Sequence, residues 1–489
     1  MALLAPSYSS RLRPEPAELA YLLLYLPWGL AHLLYQAPVL SYGIAWAGSV
    51  FIFAVSVMGL IRPLPGDRPV HRQLFRPLFL MQGFFAGYFC LTSIFYVWKL
   101  MSEGGSTPGE LQRVAAAQRY YVLGHAAFVT GLLSVMDYRS SGRWQFRTSL
   151  SRAQLALSLA VGALLLALIL DQLPGLGQFV GKLRALAPVA TILSFALALR
   201  DGELKTGFVG FTLYGYILFR AFLTGWKESI MVALALFVLY LYPGYRRTAL
   251  FLGAIGLIVS ITIVPAYNET YRELNWKQGV AEEKAAAVAL GQLTTGDVDI
   301  REEAWTFLRN RATQIGQFTQ YIEHTPQREP YYGFSIIERA VVFLTPRVLW
   351  PEKPYVEKVV MQRVYRSGLT SPSSGVSMKP QNIVDGYLSG GGVGVFLTCL
   401  IMGLVATWAS RMVEAWFGGY AIGTQAVYVA LFFSVVRQNS FEYWLNAVFW
   451  SFVFAVIVFV SLRELGVLCR TSKSPRSAQG IYSAVAPER

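Results

Sequence analysis

Arg339 and Arg347 stand eight residues apart in a segment that also holds Glu338, Pro346, Trp350, Pro351, Glu352, Lys353 and Pro354. A guanidinium is a planar fork of donors that can hold two phosphate oxygens at once. If Ile336 to Thr345 is helical, that spacing puts both groups on about one side, roughly two turns apart. Such a pair suits a diphosphate. Interfacial Arg, Trp and Lys also anchor loops against lipid headgroups, and spacing leaves both readings open. A second group is Arg220, inside an apolar run near its end, followed by Lys227 and Glu228. An ionisable side chain there either meets a partner or cavity, or snorkels to the interface. The third is the polar turn from Arg437 to Tyr443, whose Arg, Gln, Asn and Glu could bind phosphate or sugar hydroxyls or simply be solvated. Tyr332 and Trp350 could stack on sugar rings or sit in an aromatic belt. Glu338, Asp385, Glu228 and His324 are candidate general bases.

The elements that must carry these groups follow from composition. The chain has 489 residues, 54% hydrophobic and 14% charged, with mean hydropathy +0.44. About a dozen apolar runs approach the ~18 or more residues that span a bilayer. They predict an all-α polytopic membrane protein. Helices are expected at roughly 18–36, 39–61, 77–98, 118–137, 154–172, 184–200, 206–225, 228–243, 248–267, 393–411, 418–436 and 444–463. Nine thus precede residue 268 and three occupy 393–463, with a basic tail at 464–489 expected to be disordered. Three scattered cysteines and four scattered histidines offer no disulfide framework and no metal-ligand spacing.

Between the two helical blocks lies a polar segment, 268–392, with 14 acidic and 14 basic residues. The net charge of +14 therefore resides in short loops and tails, which argues against nucleic acid. With the N-terminus inside, 20 Lys and Arg fall in cytoplasmic segments and seven in the opposite short loops. Retention of cations inside predicts both termini cytoplasmic and the large segment outside. Within it, 282–296 reads as an Ala-rich helix. Ile300 to Glu323 reads as one amphipathic helix, from Trp305, Leu308, Ala312, Ile315, Phe318 and Ile322. The stretch Ile336 to Leu349 reads as re-entrant or interfacial.

The large segment resembles that of bacterial O-antigen and exopolysaccharide polymerases of the Wzy type. The matching residues are Arg309 or Arg311, Thr325-Pro326, Tyr331 or Tyr332 with Gly333, Arg339, and the run Pro346 to Pro354. Asp385, the glycines from Gly390 to Gly394, and the junction Thr224, Gly225, Lys227 extend it. The resemblance implies a GT-C-like architecture in the bacterial inner membrane. It implies glycosyl transfer between undecaprenyl-diphosphate-linked oligosaccharides, with undecaprenyl diphosphate leaving and no cofactor required. Arg220, Lys227, Arg339, Arg347, Lys353 and Arg437 would then face the diphosphate, Trp350 and Tyr332 the sugar, and Glu338 or Asp385 the attacking hydroxyl. A flippase and a chain-length regulator are the implied partners. An O-antigen ligase, or a lipid-linked oligosaccharide flippase, is the rival reading. The absence of half-to-half symmetry counts against a transporter.

Overall fold

The computed structural model describes residues 18–102, 107–225, 227–296, 298–310, 313–346, 349–374, 376–437 and 439–471. The side chains of Pro108 and Lys227 also lie outside that description. The apolar runs become helices. Before the polar segment come α1 (Leu26–Leu33), α2 (Pro38–Val57), α3 (Pro77–Phe84), α4 (Ser93–Ser102), α5 (Pro108–Ser134) and α6 (Arg152–Asp171). They are followed by α7 (Gly177–Asp201), α8 (Leu204–Leu223), α9 (Lys227–Leu241), α10 (Arg246–Ile261) and α11 (Ile263–Arg272). The polar segment folds into α12 (Glu282–Thr295), α13 (Ile300–Asn310), α14 (Ile315–His324), α15 (Ser335–Val342) and α16 (Val356–Arg366). Then come α17 (Asn382–Trp416), α18 (Val429–Phe432) and α19 (Phe441–Glu464). A π-helical turn, Phe85–Leu91, joins α3 to α4, and another, Tyr420–Tyr428, leads into α18.

Among the described residues, eight helical stretches are long and apolar enough to cross a membrane. Their outer faces agree. Leu165, Leu168 and Ile169 on α6, Phe208 and Phe211 on α8, and Phe251 and Ile258 on α10 are all more than half exposed. Continuous apolar surface of this kind belongs against lipid rather than water. The chain has the build of a helical membrane protein.

The structure departs from these expectations in five details. The helix expected at 248–267 continues through α11 and a π turn to Lys277. The next spanning helix begins at Asn382, within the predicted loop. The single amphipathic helix expected from Ile300 to Glu323 is two, because its halves pack on different partners. Trp305 of α13 lies on Trp98 of α4 (5.7 Å between rings), whereas Phe318 and Tyr321 of α14 are buried in the bundle. The helix expected over Ile336 to Thr345 stops at Val342. The expected tail begins as a strand: β2 (Leu468–Arg470) pairs antiparallel with β1 (Trp144–Phe146), and 472–489 lie outside the described residues.

At the centre, α5 is buried along most of its length and crosses α17 at glycines. A Cβ on Gly403 would overlap the Phe128 carbonyl oxygen, and one on Gly131 the Leu400 carbonyl. Lipid supplies no hydrophobic drive between helices, so close backbone approach and buried hydrogen bonds hold the bundle. Thr407 donates to the Leu132 carbonyl at 3.1 Å, and Tyr121 to Gln381 at 2.8 Å.

At the end of α17 remote from the polar segment, Arg76 is 2% exposed and clamps two carboxylates. Its nitrogens lie 2.7 and 2.8 Å from Asp67 and 2.8 Å from Glu414, with the Tyr138 ring beneath at 3.8 Å. Burial alone would raise the Asp67 carboxyl. The hydrogen bonds and charge of Arg76, helped by Arg68, outweigh it and hold the group below its ordinary value. A depressed carboxyl stabilises the fold above its unfolded pKa, about 3.9. That contribution fades as pH falls through the lower folded value. Asp67→Asn should therefore lower the thermal midpoint near neutral pH and converge with the parent only once the pH has fallen below the depressed folded value of Asp67. Equal midpoints at neutral pH would show that the clamp contributes nothing.

Candidate functional site

The polar segment does not float above the bundle; it is built into it. Two glycines make this possible. Gly390 (φ −172°, ψ 34°) and Gly391 (φ 60°, ψ −137°) break α17 and leave 382–389 as a short half-helix, with Asn382 to Leu388 all buried. A positive φ at Gly391 favours glycine, and a Cβ there would press on the Tyr331 hydroxyl at 3.0 Å. The break frees carbonyls that must find donors. Tyr332 N–H donates to Leu388 O at 2.8 Å and Gly333 N–H to Ser389 O at 3.1 Å. The Tyr332-Gly333 turn thus caps a half-helix about 60 residues further along the chain. Beyond the break the two parts close up, and a Cβ on Gly394 would collide with the Gly386 carbonyl.

Below the half-helix sits a buried ion cluster. Arg363 of α16, 3% exposed, donates through Nε and Nη2 to both oxygens of Asp385 at 2.9 and 2.8 Å. Through Nη1 and Nη2 it also donates to both oxygens of Glu442 at 2.8 Å. The Phe441 N–H adds a third bond to Asp385 at 2.8 Å. Both carboxylates are fully buried, at the first turns of α17 and α19. One cation thereby locks three helices. Burial disfavours the charged guanidinium, but Asp385 and Glu442 more than offset this and raise its pKa above the arginine norm. Tyr321 of α14 faces the cluster; burial, then the Asp385 charge, keeps its hydroxyl protonated by pushing its pKa well up. Nearer the surface, Tyr332 donates to Glu329 at 2.9 Å, and His324 lies 3.8 Å from the same carboxylate.

A second junction lies where α8 meets α9. Tyr267, Tyr271 and Arg272 of α11 donate to the carbonyls of Phe222, Leu223 and Gly225. Arg272 uses both Nε and Nη2, at 3.0 and 2.9 Å. Gly225 (φ 63°) has no room for a Cβ against the Tyr271 ring. The turn that resembles a polymerase signature is thus held rigid by the base of the polar segment.

The remaining sequence candidates are placed as follows. Arg339 folds back onto its own helix, donating to the Ser335 carbonyl at 3.0 Å and its hydroxyl at 3.3 Å, while Glu338 is exposed. Lys353 is 5% exposed, and its ammonium donates to the Phe343 and Thr345 carbonyls at 2.7 and 2.8 Å. Asn446 of α19 reaches the same Phe343 carbonyl at 2.7 Å, which ties the end of α15 to the bundle. Arg220 is exposed at the last turn of α8. Arg437 pairs with Glu228 at 2.6 Å across the α9 entrance. Trp350 is 37% exposed. Arg347 and the Lys227 side chain lie outside the described residues. Sequence reasoning named Asp385 and Glu442 but passed over Arg363. A signal existed: Val356, Val360, Arg363 and Val364 share the apolar stripe of α16, and an Arg on such a stripe needs a buried carboxylate.

These features define a helical membrane protein whose polar segment is docked onto a long, broken apolar helix through a buried ion cluster. Residues 26–470 match the family described as "Domain of unknown function (DUF8712)", and the chain belongs to that family. No curated protein and no solved structure matches it.

Proposed function

We propose that this chain is a membrane glycosyltransferase that polymerises undecaprenyl-diphosphate-linked oligosaccharides on the outer face of a bacterial inner membrane. The reading takes all twelve apolar helices as spanning, a GT-C-like arrangement, and both termini in the cytoplasm. The observation that carries it is the capping of the Leu388 and Ser389 carbonyls by the amides of Tyr332 and Gly333. It joins one motif of the polymerase resemblance, Tyr332 with Gly333, to the half-helix that runs between two others, Asp385 and the glycines from Gly390. In this reading a hydroxyl of one lipid-linked repeat attacks the anomeric carbon of another, the glycosidic bond to phosphate breaks, and undecaprenyl diphosphate leaves. Cations must meet the charge that develops on the leaving group; Arg220 and Arg339 take that part, together with Arg347 and Lys227. Glu338 is the carboxylate free to accept the hydroxyl proton. Asp385 and Lys353 are already engaged inside the fold and act as positioning residues.

The test is incubation of the purified chain in nanodiscs with a defined undecaprenyl-diphosphate oligosaccharide, followed by sizing of the products. A ladder of repeat units is expected. Arg339→Ala should reduce ladder formation by about 10²- to 10³-fold, the usual effect of losing one donor to a developing oxyanion, with the thermal midpoint unchanged. No consumption of the donor would overturn the reading. Transfer of a single block to a lipid A core acceptor, without a ladder, would replace it with a ligase. A reporter fusion near Gly368 should report from outside the cytoplasm.

A further inference from the structure

The face of the bundle opposite the polar segment carries a feature the proposed reaction does not use. Between α7 and α8 lies an apolar groove of about 560 Å³. Phe195, Ala198 and Leu199 form one wall, and Leu204, Gly207 and Phe211 the other. Gly207 lines the groove without a side chain, and a Cβ there would stand 3.7 Å from the Ala198 Cβ; at Gly210, outside the groove, α8 closes directly on Phe195. From Leu204 to Phe211 the groove runs inward about 10 Å at 1.5 Å per residue. It opens at the α7–α8 turn, the level of lipid headgroups.

That opening is basic. The α9–α10 turn packs beside it, with the Tyr245 hydroxyl donating to the Leu199 carbonyl at 3.0 Å and Gly244 against the Arg200 side chain. Arg200 is neutralised by Asp201 at 2.9 Å. Glu203 accepts from the Thr206 hydroxyl at 3.0 Å. Lys205, Arg246 and Arg247 are exposed around the mouth, three cations against the one remaining carboxylate. An apolar slot of acyl-chain size beneath a cationic rim is complementary to a lipid with a negative headgroup.

We propose that the α7–α8 groove binds one anionic phospholipid, with an acyl chain along Gly207 and Phe211 and its phosphate on Lys205, Arg246 and Arg247. The inference does not depend on the proposed enzymatic reaction. It is tested by native mass spectrometry of the full chain in detergent, with phosphatidylglycerol or phosphatidylcholine added in equal amounts. Phosphatidylglycerol should be retained preferentially. Each cation near a headgroup is worth about a fivefold preference, so Lys205→Gln with Arg246→Gln and Arg247→Gln should bring the two lipids to parity. These side chains are exposed, so the triple variant keeps its fold. Gly207→Leu fills the slot and should abolish retention of both lipids. Equal retention of the two lipids by the parent chain would overturn the proposal. So would unchanged retention by folded Gly207→Leu, or a dimer mass that displaces lipid.

Discussion

Arg363→Met should cost about 3–5 kcal/mol and leave little folded protein in the membrane. The substitution roughly keeps volume, but strands Asp385 and Glu442 as two adjacent, fully buried carboxylates without a counterion. Their mutual repulsion and lost hydration act at the first turns of α17 and α19, so the half-helix and its cap at Tyr332 should loosen together. The control is the triple variant Arg363→Met, Asp385→Asn, Glu442→Gln, which removes the charges as a set. Buried ion clusters replaced whole are often neutral in stability. Thermal unfolding in nanodiscs should therefore show the single variant far below the parent and the triple variant close to it. A single variant as stable as the parent would mean that the three groups do not share a dry site. Product sizing on the triple variant then separates holding from catalysis.

Gly403→Val should be comparably damaging, for a steric reason. At this crossing α5 and α17 approach backbone to backbone, and the obstruction facing an added Cβ is the Phe128 carbonyl oxygen rather than a movable side chain. Overpacking costs about 1–3 kcal/mol where neighbours can shift, and more where they cannot. The expected result exceeds about 3 kcal/mol, with even Gly403→Ala strongly destabilised. Gly162 in the middle of α6 supplies the contrast, because nothing lies within 4 Å of its missing Cβ. There Gly→Ala should stabilise by about 0.5–1 kcal/mol through helix propensity. Similar midpoints for the two Ala variants would show that α5 and α17 are not in close contact.

Much of the fold was legible in the residues. Each of the twelve apolar runs named from the sequence coincides with helix, and the Ala-rich stretch is α12, ending in the left-handed Gly296. Periodicity failed where neighbouring residues have different partners. The pattern of Trp305, Phe318 and Ile322 is continuous in sequence, yet α13 lies on α4 while α14 enters the bundle against α5. The paired-arginine argument assumed helix to Thr345; α15 ends at Val342, and Lys353 caps the chain that follows it. Lys353 and Arg437 read as free cations because a sequence shows the charge and hides the acceptor. Their acceptors are the Phe343 and Thr345 carbonyls and Glu228.

What the sequence determined by itself is local: helices where apolar residues run long enough to satisfy their own backbone in lipid, breaks where Gly-Gly removes the helical preference, and cations gathered in short loops. Those depend on neighbours a few residues away. Only the tertiary structure decided which charges are buried and which remain exposed. Arg363, Asp385 and Glu442 lie 22 and 79 residues apart along the chain from the first of them. Their pairing rests on distances that only packing sets, because a charge can leave water only where an opposite one is already in place.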